Sequence, residues 1–429
     1  MIIQSRASLK AILPHDWLIS RLGLHGKFMS GSAFPDQFQG RCNEEIPFYK
    51  VADLARSSDG VHMPEPMHTI SDETRKRLKA KLIPKGSIVY AKIGAASLLN
   101  RRRVTTRSCC IDNNMTAFVP EQVSPEWALI WLRSLDFGAY MCPATVPSIS
   151  EGIQADLPLG LPPMEYEQRS IALLNERLPK IDKLITLLED KSSALSSYRQ
   201  SLITRAVTKG LDPNVEMKDS GVEWIGDIPK HWHVCKLKHA GYSFNGLTYS
   251  PNDLLSDGIP VLRSCNVQNA KLDLGDTVFV SKEQAHDAML EAGDVLICSR
   301  NGSAKLIGKC AYISQSEKYA FGAFMMVYRS SLKKFGYYLL NSDLFRYYKP
   351  LFSTTTINQL TSSTFGDFFI PLPPEMERVK ISESLDKELQ KIDFLSRKVD
   401  QIILKLKEYR SSLISAAVTG QLAIEEASA

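Results

Sequence analysis

"YRQSLITRAVTKG", residues 198–210, comes back near the other end of the chain as "YRSSLISAAVTGQ", residues 409–421. Setting the two in register takes a shift of 211 positions, and the same shift aligns residues 161–208 with 372–419 without a gap, with 18 of 48 positions identical. The likeness continues upstream, where the offset drifts between 207 and 215, as small loop insertions would cause. "LPHDWLISRL" (13–22) aligns with "IPKHWHVCKL" (228–237), which pairs Pro14 with Pro229 and Trp17 with Trp232, and further on Gly31 with Gly246. "IPFYKVADL" (46–54) aligns with "IPVLRSCNV" (259–267), and "IPKGSIVYAKIG" (83–94) with "LEAGDVLICSRNG" (290–302). At 429 residues the chain is too long for one ordinary core. It therefore reads as a tandem: globular segment, helix, globular segment, helix.

The repeated stretch carries a seven-residue rhythm. Taking one position as d gives Leu174, Ile181, Leu188, Leu195 and Leu202 in the first copy, and Leu385, Ile392, Val399, Leu406 and Leu413 in the second. Position a is more mixed, with Ile171, Leu178, Ile185, Ser192 and Arg199, then Ser382, Leu389, Ser396, Ile403 and Arg410. Such spacing predicts a two-helix seam that is wetter at one end. Pro179 is expected to kink or interrupt the first helix. Because each helix leaves its own globular segment in the same relation, pairing between them would be antiparallel, with the halves related by a pseudo-twofold axis. About 38 residues at ~1.5 Å rise give a spacer of roughly 57 Å.

Short runs rich in branched and aromatic residues, "GSIVYAKI", "GDVLICSR" and "FMMVYRS", read as strands. "PEWALIWLRSLDFGAYM" (125–141) and "FGYYLLNSDLFRYYKPLF" (335–352) have helical spacing at matching places. The expected class is α+β. The expected domains are a first head over residues 1–160, a helix over 161–210, a second head over 211–370 and a second helix over 371–429.

Composition sets bounds. With 44% hydrophobic and 23% charged residues the chain is not mainly disordered, and a net charge of +5 permits a polyanionic partner without requiring one. The eight cysteines include no CxxC pair, so neither a zinc frame nor a disulfide frame is expected. No stretch approaches the ~18 apolar residues of a membrane span, which makes the cytoplasm the expected compartment and a membrane partner unexpected. GxxxxGK[ST], HExxH and GxSxG are all missing from the sequence, so no catalytic residue is assigned. The histidines at 231, 233 and 239 lack acids or thiols at ligand spacing, and no metal is expected there. Trp17 and Trp232 read as core anchors.

Charge is concentrated locally. From Arg75 to Arg107 there are eleven Lys or Arg and no Asp or Glu, an excess that would attract phosphates. In the second head, "RSCNVQN" (263–269), "SRNGSAK" (299–305) and "STTTINQLTSST" (353–364) place Arg, Asn, Gln, Ser and Thr in loops beside expected strands. These are the side chains that read base edges and phosphates.

Taken together, "LPPMEYEQR" and "PLPPEMERVK" opening the helices, "IDKL" and "IDFL" within them, "SYRQSLITRAVTKG" and "EYRSSLISAAVTGQ" closing them, and "GVEWIGDIPKHW" before the second head carry a resemblance. The chain resembles the specificity subunit of a Type I restriction-modification system over essentially its whole length. That resemblance implies two target-recognition domains, each reading one half of a split, asymmetric sequence in double-stranded DNA, and an antiparallel coiled coil that sets the gap. It implies an adaptor without catalysis, docking two modification subunits and, in addition, restriction subunits that translocate DNA. S-adenosylmethionine, ATP and Mg would then belong to those partners. In keeping with this, the chain has no [ND]PP[YF] methylation motif.

The resemblance does not assign contacts, so candidates follow from chemistry and loop position. For DNA they are Lys50, Lys92, Arg101, Arg102 and Arg103 in the first head, and Arg263, Asn266, Arg300, Asn301, Ser303 and Thr355 in the second. For partner subunits they are the repeated Tyr198, Arg199 and Leu202 with Tyr409, Arg410 and Leu413. The competing reading is a two-headed scaffold that binds protein or RNA without duplex specificity.

Overall fold

The computed structural model describes residues 9–141, 146–268, 270–303, 306–315, 319–348 and 359–422. Thr355 lies outside the described residues. The chain divides into two compact units, the first made of residues 1–188 with 402–429 and the second of residues 189–401. Each unit thus owns one α+β head and half of each long helix.

In unit 1 a four-stranded sheet runs Gly26–Ser30, Met115–Pro120, Ile88–Ala91, Arg103–Val104, antiparallel throughout. A three-stranded sheet runs Thr69–Ile70, Ile46–Tyr49, Cys110–Ile111, and its last pair is parallel. The strand Leu18–Arg21 pairs with Pro158–Leu161 just before the first long helix. Unit 2 repeats this order. Its sheets run Gly241–Asn245, Met325–Ser330, Val295–Cys298, Cys310–Tyr312, then Val278–Val280, Ile259–Leu262, Ala320–Phe321 with the same parallel pair, and His233–Lys236 with Phe369–Leu372. The matched glycines are explained by close approach: a Cβ on Gly31 would meet the Asp112 carbonyl at 2.1 Å, and one on Gly246 would meet the Phe321 carbonyl at 2.0 Å.

The predicted strands sit at Ile88–Ala91, Val295–Cys298 and Met325–Ser330. The helix Pro125–Ser134 starts on a Ser124 side-chain cap with Pro at its first position, and its Trp127 and Trp131 are fully buried. The matching place in unit 2 holds two shorter helices, Lys334–Leu340 and Asp343–Tyr347.

The long helices are Met164–Lys209 and Glu375–Val418. The expected interruption at Pro179 does not occur, since the first helix is continuous through it. Pro179 and Asn175, whose carbonyl it releases, are both exposed, so water can satisfy the freed group. Every d residue of the heptads is buried or half-buried. In unit 1 the first half of the first helix packs on the last half of the second, where Arg410 Nε reaches Asp182 at 2.7 Å and the Tyr166 hydroxyl donates to the Ala417 carbonyl at 3.1 Å. In unit 2 the complementary halves meet, with Arg199 Nε at 3.4 Å from Asp393 and Ser192 donating to Asp400 at 3.3 Å. Within each unit the partners retreat along one helix as the other advances, so the pairing is antiparallel. The arginines at the a positions are thereby explained: each repeated arginine pairs with the aspartate of the other copy.

Both helices end on a left-handed glycine, Gly210 (φ +74°) and Gly420 (φ +72°), a conformation that leaves the Cβ-free residue as the natural choice. Added Cβ atoms would lie 3.3 Å from Trp232 and 3.4 Å from Trp17 respectively. Both tryptophans are buried, as expected of core anchors.

Candidate nucleic-acid interface

In unit 2 the loops at one end of the strands enclose a cleft of about 740 Å³. The turn after Ile259–Leu262 supplies Arg263, the loop after Val295–Cys298 supplies Arg300 and Asn301, and the tight turn before Met325–Ser330 supplies Phe324. Candidates from two stretches far apart in sequence therefore converge here, with Phe324 from a third.

Each is held in a defined way. The Arg263 backbone N–H donates to Asn266 Oδ1 at 2.9 Å, while its Nη2 donates to Asp276 at 2.8 Å. Asn266 is 1% exposed and its amide donates to the carbonyls of Asp273 (2.8 Å) and Asp276 (2.9 Å). It braces the loop from inside and presents nothing to the cleft. Arg300 lies with its guanidinium carbon 5.3 Å from the Phe324 ring centroid, a cation-π contact that holds the side chain without consuming its N–H donors. Asn301 Nδ2 donates to Ser264 Oγ at 3.1 Å, and Asn301 Oδ1 accepts from the Ser303 N–H at 3.0 Å. Phe324 is 59% exposed and was not among the candidates. The signal that marks it is a large aromatic in a Gly-Ala-Phe turn between two strands.

In unit 1 the same frame carries different chemistry. Lys50 occupies the place of Arg263, since its backbone N–H donates to Asp53 Oδ2 at 2.7 Å ahead of a matching 3-10 turn. Its ammonium donates to Gln39 at 2.8 Å. Lys92 matches Ser299, one residue before Arg300, because the next segment bonds back to its carbonyl (Ile149 to Lys92 at 3.0 Å, Leu360 to Ser299 at 2.8 Å). Its ammonium donates to Ser30 at 3.0 Å, and burial lowers its pKa.

The basic window does not form one patch. Arg75 and Lys76 pair with Asp72 at 2.6 and 2.8 Å, Arg107 pairs with Glu65 at 3.0 Å, and Arg77 stacks over Phe38. Acids outside the window neutralise these cations because ion pairing follows distance in space. Arg101, Arg102 and Arg103 go elsewhere, into a second cleft of about 530 Å³ with Arg133 and Arg410. Arg102 is 1% exposed.

Of the candidates for partner docking, Tyr198 and Tyr409 are 57% and 46% exposed. Arg199 and Arg410 make the interhelix ion pairs, Leu202 is half-buried and Leu413 is buried. Among the described residues no group of His, Cys, Asp and Glu is arranged to hold a metal, and His231 instead bonds Glu377 at 2.8 Å. Among those residues no helix is long and apolar enough to cross a membrane.

Residues 229–403 match the family described as Type I restriction modification DNA specificity domain. Two curated relatives are the Type I restriction enzyme EcoKI specificity subunit of Escherichia coli strain K12, 30% identical over 206 residues, and the StySPI specificity subunit of Salmonella potsdam, 29% identical over 206 residues. Each match spans 46% of this chain and 44% of the relative, less than half its length. A solved structure from work on complex assembly and conformational transition of the type I R-M system is similar over 96% of this chain and 99% of that one, with a TM-score of 0.70. At 17% identity that likeness is one of fold.

Proposed function

We propose, on the premise that this chain belongs to the specificity-subunit family of Type I restriction-modification systems, that it reads a split sequence in double-stranded DNA and contributes no catalytic group. Residues 211–370 form the head that reads one half-site and residues 1–160 the head that reads the other. The helical segments 161–210 and 371–429 set the gap. Two modification subunits dock by the exposed Tyr198 and Tyr409, and restriction subunits join that assembly. S-adenosylmethionine, ATP and Mg are bound by those partners and not by this chain.

The observation that carries this reading is the unit 2 cleft, where Arg300, Asn301 and Arg263 converge beside an exposed phenylalanine. Arginine donates a planar fork to guanine and asparagine bonds adenine bidentately, while an exposed ring stacks on a base or packs against a thymine methyl. Ser303, exposed in the same loop and bonded through its N–H to Asn301, is a further donor. In unit 1, Lys50 and Lys92 are point charges held by neutral oxygens, suited to phosphates or to guanine. Asn266 supports recognition by fixing the Arg263 loop.

The test is methyl transfer by the chain reconstituted with its modification subunits on duplexes carrying each half-site variant. Arg300→Ala should cut discrimination at one position of one half-site on the order of tenfold to a hundredfold and leave the other half unchanged. Equal loss at both halves would refute independent heads.

A further inference from the structure

Beside the last turns of the second long helix, the unit 1 cleft gathers Arg101, Arg102, Arg103, Arg133 and Arg410. Arg410 is answered by Asp182. Among the described residues the other four have no carboxylate within ion-pair distance, and the one acid in the lining, Asp136, accepts the Gly138 N–H at 2.9 Å.

The guanidinium groups of Arg102, Arg103 and Arg133 are positioned by neutral partners, and Arg101 is exposed beside them. Arg102 lies 3.9 Å over the Phe137 ring and donates Nη2 to the Leu135 carbonyl at 3.3 Å. Arg103 Nη1 and Arg133 Nη2 both donate to the Arg102 carbonyl at 2.9 Å, and Arg133 Nη2 also bonds the Gly60 carbonyl. Nε and Nη1 of Arg102 and Nε of Arg103 have no hydrogen-bond partner in the protein. Burial pushes the pKa of Arg102 and of Arg133 down to about 9, which expresses how poorly the surroundings compensate their charge.

A buried cation without a counterion is strongly unfavourable, and buried N–H donors are nearly always satisfied. Buried Arg102 and half-buried Arg103 and Arg133, with exposed Arg101 beside them, point to an occupant that brings the missing negative charge. Planar forks match phosphate oxygens, and about 530 Å³ falls in the range of small-ligand sites and exceeds the needs of a single oxyanion. Unit 2 supplies the contrast: its cleft is lined by Arg199, Lys271 and Arg397, but Arg199 and Lys271 share Asp393, and Asp273 adds a second acid.

We propose that the unit 1 cleft binds a diphosphate-bearing anion through Arg101, Arg102, Arg103 and Arg133. Two neighbouring phosphates of a nucleic-acid strand and a free diphosphate present the same chemistry. The inference stands independently of how the heads read bases.

Inorganic pyrophosphate is the probe, added to the full chain in low-salt, phosphate-free buffer and followed by calorimetric titration and thermal melting. Saturable binding with a raised Tm is expected. Arg101→Ala, an exposed change, should weaken binding about tenfold. Arg102→Met should abolish the pyrophosphate-dependent shift while melting at or above the wild-type temperature without the anion, because it removes a buried uncompensated charge. A purely structural Arg102 would instead give a lower melting temperature with the pyrophosphate shift intact. Arg397→Ala, in the lining of the unit 2 cleft, should leave the shift unchanged. No saturable shift in the wild type, or an undiminished shift in Arg101→Ala and Arg102→Met, overturns the proposal. If Arg102→Met does not fold, Arg101→Ala decides. Competition against duplex DNA then identifies the source. Weakened duplex binding that depends on Arg101 indicates a strand phosphate, and unchanged duplex binding indicates a free diphosphate.

Discussion

The two units share a strand order, a paired tryptophan under each helix end and a reciprocal Arg-Asp pair, yet the cleft beside the repeated arginine is nearly charge-balanced in unit 2 and strongly cationic in unit 1. In unit 2, Arg199 and Lys271 converge on Asp393. In unit 1, Arg410 has Asp182, but four more arginines stand without an acid. The difference teaches that the repeat carries the frame, whereas the intervening loops carry the electrostatics. The reading ends of the heads repeat the lesson, with Lys50 where unit 2 has Arg263 and Asn114 where it has Phe324.

The shared frame can be broken most severely at its tryptophans. Trp232→Ala should cost about 3–5 kcal/mol, and Trp17→Ala a similar or slightly smaller amount because Trp17 keeps 7% exposure. Urea unfolding followed by circular dichroism measures both, and a large inequality would mean the two anchors are not equivalent.

The electrostatic contrast is sharpened at the interhelix aspartates. Asp393→Asn leaves Arg199 and Lys271 without their acid and should cost about 1 kcal/mol, with no recovery on adding pyrophosphate. Asp182→Asn adds Arg410 to an already cationic cleft, so its cost should be of similar size in anion-free buffer and should be recovered by pyrophosphate. Thermal melts of both variants with and without the anion test this.

The smallest effect concerns Asp367, which Lys238 and Lys236 hold at 2.9 and 3.0 Å and whose pKa they lower to about 2. A carboxylate with a depressed folded pKa stabilises above its unfolded value and loses that contribution as pH falls toward the folded one. Asp367→Asn should therefore lower the melting temperature slightly at pH 7 and make no difference near pH 2.

Much of this was legible in the sequence. The heptad leucines, the matched tryptophans and glycines, and the strands with their flanking turns are local patterns, and periodicity reports them directly. Phe324 was not legible, because an aromatic between two strands reads as core until the turn that exposes it is seen. Arg133 was hidden inside a helix of buried tryptophans. The run from Arg75 to Arg107 looked like one patch because the count began just after Asp72, which pairs with Arg75 and Lys76 within one helix, and because counting along the chain cannot see Glu65 folding back onto Arg107.

The sequence by itself determined the duplication, the long paired helices and the α+β class, since each rests on short-range periodicity or on a direct match between segments. Only the tertiary structure decided which cations are neutralised and which converge, that Pro179 is tolerated, and that each helix's arginine answers the other's aspartate. Coulomb and hydrogen-bond energies depend on separation in space, and that separation exists only once the chain has folded.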